Sequence, residues 1–356
     1  MPFDAQNKTA LKTATPTTGS KTRTVALLLL AFVLITVIAW LSRSRMHLDW
    51  HSLREQFYAV SWVRVAIGIA LIYLCFVFRA ARWSVLLAPM RKTSTWQLLP
   101  SQVLGFTGVA IFGRVADLSR PYMIARRTDT PVTTQIAIYS IERAFDLAAA
   151  ATLFSLALAF APASTPHHHA FVRAGLLSIV ATLFLAATAI TIRLAGDRLA
   201  RLIERLLSPL SLKLAAKASA RVLDLQSGFG AISTIGEFAS AMSLSLIMWT
   251  GIAGCYLMGA TAFRATPELA GFSISATMLV MATGMGGSVV QLPVLGWFTQ
   301  VALFAATMHA LFGVPIETAT ACAALIFTMT NLSVIPGGLL MAQLQGTGLR
   351  GAINLQ

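Results

Sequence analysis

Residues 113–146 read GRVADLSRPYMIARRTDTPVTTQIAIYSIERAFD, and this stretch decides how the rest of the chain is read. It holds nine charges: Arg114, Arg120, Arg126, Arg127 and Arg143, with Asp117, Asp129, Glu142 and Asp146. Only 11% of the chain is charged, and long apolar segments lie on both sides of the stretch. A charge close to hydrocarbon is costly unless it pairs or faces a wet interior, so these residues are the first candidates for function.

Working outward, the apolar segments are of membrane-spanning length. The chain has 356 residues, is 56% hydrophobic and has a mean hydropathy of +0.74. Runs of mostly apolar residues recur at lengths sufficient to cross roughly 30 Å of hydrocarbon as helices. The expected fold is all-α: a polytopic helical membrane bundle of seven to eight segments, some of them re-entrant. The formal charge of +14 sits in short stretches between spans, where positive-inside bias places it, and does not indicate nucleic acid. No aqueous segment is long enough for a separate catalytic domain. The three cysteines, Cys75, Cys255 and Cys322, fall in apolar runs and read as packing residues.

Residues 1–20 read as a disordered tail, and 21–356 as a single membrane domain. Lys21 and Arg23 precede the apolar run 25–41, read as a first span with a cytoplasmic N-terminus. Residues 42–61 suit the outer interface. A second span, 62–78, leads into FRAARW, where Arg79 and Arg82 share a helix face. Two readings stand for this pair, positive-inside anchoring and a cationic wall for a lipid phosphate.

The segment 97–112 is apolar but short, and carries Pro100, Gln102, Gly105, Thr107 and Gly108, with Gly113 at its edge. If it crossed the bilayer, the arginines that follow would lie outside; a re-entrant segment keeps them cytoplasmic, buried in protein or against a wet cavity. Thr130-Pro131 then opens a helix. Its uninterrupted apolar part, 147–161, provides only about 22 Å at 1.5 Å per residue. To span, this helix must recruit Glu142, Arg143 and Asp146.

Further spans are expected at 171–192, 239–262, 296–312 and 318–340. The histidines 167–169 read as a solvated loop. Residues 193–237 form a basic amphipathic region broken at Pro209, suited to an anionic cytoplasmic leaflet. The glycine-rich segment 273–292 echoes 97–113 in composition, and paired broken segments point to a central site in transporter-like folds.

Glu142 and Asp146 stand at i and i+4, so two carboxylates share a face and require a cation between them. Arg143 can reach Asp146, and Arg114 or Arg120 can supply a second cation. The candidate site is therefore Arg82, Arg114, Arg120, Asp117, Glu142, Arg143 and Asp146. Arginine's planar fork suits phosphate oxygens. The same residues also make sense as an ion network that fixes helix register.

GRVADLSRPYMIARR followed by IERAFD resembles the transmembrane domain of lysylphosphatidylglycerol synthases, the flippase-like domain family of bacterial and archaeal inner-membrane proteins. The matching positions are Arg114, Ala116-Asp117, Arg120-Pro121, and Glu142-Arg143 with Asp146; FRAARW and Trp249 also fit. Ala116-Asp117 replaces the family's Gly-Glu, and Phe112 stands where proline is usual. Pro293-Val294-Leu295-Gly296-Trp297 departs from the family's Pro-Gly-Gly-x-Gly turn, with Gln300 at the acidic position. The soluble aminoacyl-transfer domain of full synthases is absent from this sequence.

The resemblance implies movement of a lipid, or a lipid-linked head group, between leaflets of a bacterial inner membrane. In that reading Arg82, Arg114 and Arg120 bind phosphate, Asp117, Glu142 and Asp146 are counter-charges, and Arg143 is the internal partner of Asp146. Membrane lipids bearing phosphate are the expected partners, together with a second copy or a biosynthetic enzyme; nucleic acid is not. No catalytic residue, metal site or cofactor is read from the sequence. Two alternatives stay open: a membrane-embedded transferase on a lipid-linked substrate, and an accessory subunit of a lipid or cell-envelope biosynthetic enzyme.

Overall fold

The computed structural model describes residues 58–161, 163, 168–209, 211–229, 234–287 and 295–344. The expected tail, the first span 25–41, residues 42–57, His167 and the departure at Pro293-Val294 lie outside them. The described chain is helical, with one isolated bridge, Val60 to Phe263, and no strand among the described residues. This is the all-α membrane fold that hydropathy predicts. Three helices are long and apolar enough to span: Trp62–Leu87, Ile235–Thr261 and the composite Ile316–Leu344.

Helix α1, Trp62–Leu87, extends nine residues past the expected end of its span, so FRAARW lies inside the helix. Helix α2 is Thr95–Phe112, opened by a reciprocal cap in which Ser94 accepts from the Gln97 amide and Gln97 accepts from Ser94. Gly113, at φ 76°, takes a conformation that side chains other than glycine rarely adopt, and the chain turns. A 3₁₀ turn, Arg114–Leu118, leads into α3, Ser119–Thr128, which ends with Asp129 left-handed.

Contacts show that α3 doubles back along α2. Gly108 lies against Ala116 and Ser119, while Gly105 and Gln102, farther back on α2, meet Arg120. The two helices form an antiparallel hairpin, the local shape that re-entry requires.

Helix α4, Val132–Ala159, begins after Pro131 and runs uninterrupted through Glu142, Arg143 and Asp146, as the short apolar part demanded. Helix α5, His168–Leu207, merges the expected fifth span with the start of the basic region across a kink at Ala195. Pro209 separates it from α6, Leu212–Phe229, at the expected break. Helix α7 is Ile235–Thr261, and the short α8, Pro267–Ala270, closes the loop after it. Helices α9, Ile274–Gly287, and α10, Leu295–Phe312, precede the last span. That span is built of α11, Ile316–Phe327, a π-helical segment Thr328–Leu332, and α12, Val334–Leu344.

Helices α1 and α7 run antiparallel in close contact. Gly68 lies against Met258 and Met329, Gly254 against Leu71, and Gly251 against Cys75. Small residues let backbones approach, which is how helices associate where lipid removes the hydrophobic drive. Two apolar clusters result. One gathers Ile72, Phe76, Tyr256, Phe304 and Met308; the other gathers Trp83, Leu86, Leu98, Ile124 and Ile138. On α1, Arg79 and Arg82 fall where one cluster gives way to the other. The three cysteines are buried and free, and His309 bonds through Nδ1 to the Val314 carbonyl at 2.8 Å.

Candidate functional site

The charged residues converge because helical periodicity puts them on inward faces. On α1, Arg79 and Arg82 lie one turn apart; on α4, Glu142 and Asp146 do the same and face them. Arg82 Nη2 donates to Glu142 Oε1 at 2.8 Å, and its Nη1 to Asp146 Oδ1 at 2.7 Å. One guanidinium thus bridges the two carboxylates, answering their mutual repulsion. Nη1 also donates to Ser245 Oγ on α7 at 2.7 Å. Arg79 Nη1 reaches Glu142 Oε1 at 3.2 Å and Asp146 Oδ2 at 3.5 Å.

The hairpin supplies the next cation. Arg120 Nε donates to Asp117 Oδ1 at 2.8 Å, while Nη1 reaches Gln102 Oε1 at 3.0 Å and Glu142 Oε2 at 3.3 Å. Its aliphatic stem passes over Gly105: a methyl group there would lie 1.9 Å from Arg120 Cγ. Glycine at 105 is therefore a spatial requirement of the arginine's path. Phe106 stacks under both cations, its ring centre 4.5 Å from the Cζ atoms of Arg79 and Arg120.

Arg143 forms the open edge. Its side chain is 39% exposed and its Nη2 lies 3.3 Å from Glu142 Oε2 and 3.1 Å from Asp146 Oδ2. Beside it, Tyr139 donates to Asp117 Oδ2 at 2.5 Å, and the tyrosine ring lies under Arg143 and Arg120. By contrast Glu142, Arg82 and Arg120 are at most 1% exposed. From α7, Trp249 Nε1 donates to Asp146 Oδ1 at 3.3 Å.

Six of the seven residues singled out from the sequence meet here: Arg82, Asp117, Arg120, Glu142, Arg143 and Asp146. Arg114 stands exposed at the start of the 3₁₀ turn. The pairing expected between Arg143 and Asp146 is present, and of the two cations weighed for Glu142 the ion pair comes from Arg120. Beyond the seven candidates the cluster holds Arg79, weighed with Arg82 as a cationic wall, Trp249, matched through the family resemblance, and Gln102, Phe106, Tyr139 and Ser245, which were not linked to the site. For Arg79 a signal existed, its i, i+3 spacing from Arg82. Gln102, Phe106, Tyr139 and Ser245 carried none, because a lone polar or aromatic residue in an apolar segment is ambiguous.

In charge, four arginines meet three carboxylates. Several buried donors have no hydrogen-bond acceptor: Arg82 Nε, Arg120 Nη2, Gln102 Nε2, and Nε and Nη2 of Arg143, whose ion pairs lack hydrogen-bond alignment. Buried polar groups ordinarily find partners. No group of three or more His, Cys, Asp or Glu side chains is placed to hold a metal among the described residues.

A helical bundle with apolar helices long enough to cross a bilayer defines an integral membrane protein. The family description "Lysylphosphatidylglycerol synthase TM region" matches residues 26–338. The chain belongs to that family. Comparisons with curated proteins and with solved structures give no match.

Proposed function

We propose that this protein moves a phosphate-bearing lipid head group between the leaflets of a bacterial cytoplasmic membrane, its N-terminus on the cytoplasmic side. The observation that carries the reading is the surplus of buried arginine N–H groups over acceptors. The head group enters at the Arg143 edge, where the cluster is open, and its acyl chains stay in the bilayer. Phosphate oxygens take the free N–H groups of Arg120 and Arg82 and the Gln102 amide. Glu142, Asp146 and Asp117 hold the guanidinium groups in place before entry and yield part of that pairing during it. Family membership supports a membrane-lipid setting.

The test is leaflet exchange of fluorescent anionic and neutral lipids in proteoliposomes, comparing wild type with Arg120→Ala and Glu142→Gln. Head-group-selective exchange that is lost in both folded variants supports translocation. Absence of exchange for every lipid, with folding intact, overturns it; lipid mass spectrometry and co-purification then separate a transferase from an accessory subunit.

One observation favours a second role for the same residues. The ion pairs join α1, α3 and α4, with Ser245 and Trp249 adding α7, so the cluster also fixes helix register. The roles are compatible: a site that orders four elements is one whose occupancy can be felt by all of them.

A further inference from the structure

Beyond the kink at Ala195, α5 pairs with α6 as a hairpin that leaves several leucines exposed. The fully buried residues of the two helices are small: Gly196 and Ala200 on α5, Ala215 and Ser219 on α6. Leu199, Ile203 and Leu207 are half-buried, and Leu202, Leu206, Leu212 and Leu214 stand between 52% and 75% exposed. A helical hairpin in water ordinarily turns its leucines inward and keeps its outer face polar.

The hairpin cannot lie within hydrocarbon either. Residues 195–229 carry six basic and three acidic side chains, too many for a membrane core. Charge and leucine are segregated around each helix. At 100° per residue, Leu202 and Leu206 form one flank of α5, and Arg198, Arg201 and Arg205 the strip beside it. On α6, Lys213 and Lys217 lie opposite the buried Ala215 and Ser219, with Leu212 and Leu214 on the two shoulders. Apolar shoulders beneath a basic strip are the pattern of a helix lying in the head-group layer. The hairpin is also the direct continuation of α5, whose first part, His168–Phe184, is apolar, so it starts at the membrane boundary.

We infer that the α5–α6 hairpin is a docking surface for the anionic leaflet of the protein's own membrane, its leucines in the acyl boundary and its arginines and lysines on lipid phosphates. The net positive charge and the inward small residues argue for lipid over a protein partner, which would have to cover leucines on two helices and leave the basic strip unmatched. The inference is independent of translocation. It concerns a different surface and holds whether or not lipid crosses through the α1–α4 cluster.

The test is hydrogen–deuterium exchange of the full chain in nanodiscs of phosphatidylcholine alone and with added phosphatidylglycerol. Residues 196–229 are expected to exchange at least about fivefold more slowly in the anionic discs, the size of effect that one basic side chain contributes at such a surface. High salt and the variant Arg201→Gln/Arg205→Gln/Lys213→Gln/Lys217→Gln should each abolish the difference, while peptides from α1 and α4 stay unchanged as the folding control. Equal exchange in both discs would overturn the inference. So would slow exchange that persists in the neutralised variant, or protection that appears only with a co-purified protein. Leu202→Gln/Leu206→Gln supplies the second arm: faster exchange in both discs is expected, and no change would place these leucines off the membrane.

Discussion

Replacing Glu142 with glutamine keeps the side chain's shape and removes the charge at the centre of the cluster. Its two oxygens lie 2.8–3.3 Å from nitrogens of Arg79, Arg82, Arg120 and Arg143. One amide oxygen can still accept, but the amide nitrogen then faces guanidinium groups, and the cluster's surplus rises from one positive charge to two. Removing one partner of a buried ion pair costs about 3–5 kcal/mol, because the other charge stays buried without compensation. Equilibrium unfolding of the full chain by SDS titration in mixed micelles measures that loss directly. Glu142→Gln/Arg143→Met returns the surplus to one, so the double variant should recover at least about 1 kcal/mol relative to additivity, as neighbours in one network do. A loss below about 1 kcal/mol for Glu142→Gln alone would match a solvated surface pair. That result would refute the burial of Glu142 among the four arginines.

Gly105→Ala forces a methyl group onto the stem of Arg120 and should cost about 1–3 kcal/mol in the same titration, as overpacking does. Arg120→Lys places a point charge where a fork now serves Asp117, Gln102 and Glu142; leaflet exchange should fall nearly as far as in Arg120→Ala despite the retained charge. Trp249→Phe removes one donor from Asp146, and a loss of about 1–2 kcal/mol in the SDS titration is expected.

The sequence shows the extent of α4, because the apolar part 147–161 is short and the helix was expected to run back through its charged turn. The i, i+4 carboxylates and the need for cations between them follow from the same arithmetic. Arg79 was less legible: an arginine pair at the end of an apolar run is explained as well by positive-inside anchoring as by burial. What decides between those accounts is that α1 continues as helix to Leu87, bringing the arginines alongside α4. Arg114 shows the opposite limit. It lies six residues before Arg120, yet Gly113 and the 3₁₀ turn send the two side chains to different environments. Gln102 and Ser245 contribute through distance alone, which no local pattern encodes.

The cations and carboxylates of this cluster are made at different times. Arg79 and Arg82 precede their partners Glu142 and Asp146 by 60–67 positions. At about 5–20 residues per second the ribosome needs roughly 3–13 s to cover that distance. For that interval α1 exists without the acids that neutralise it, and its arginines can be held only by snorkelling toward head groups at the end of its apolar run. Seating of α1 at full depth then waits for α4, which makes arrival of that helix the step that commits the nascent bundle to its final topography.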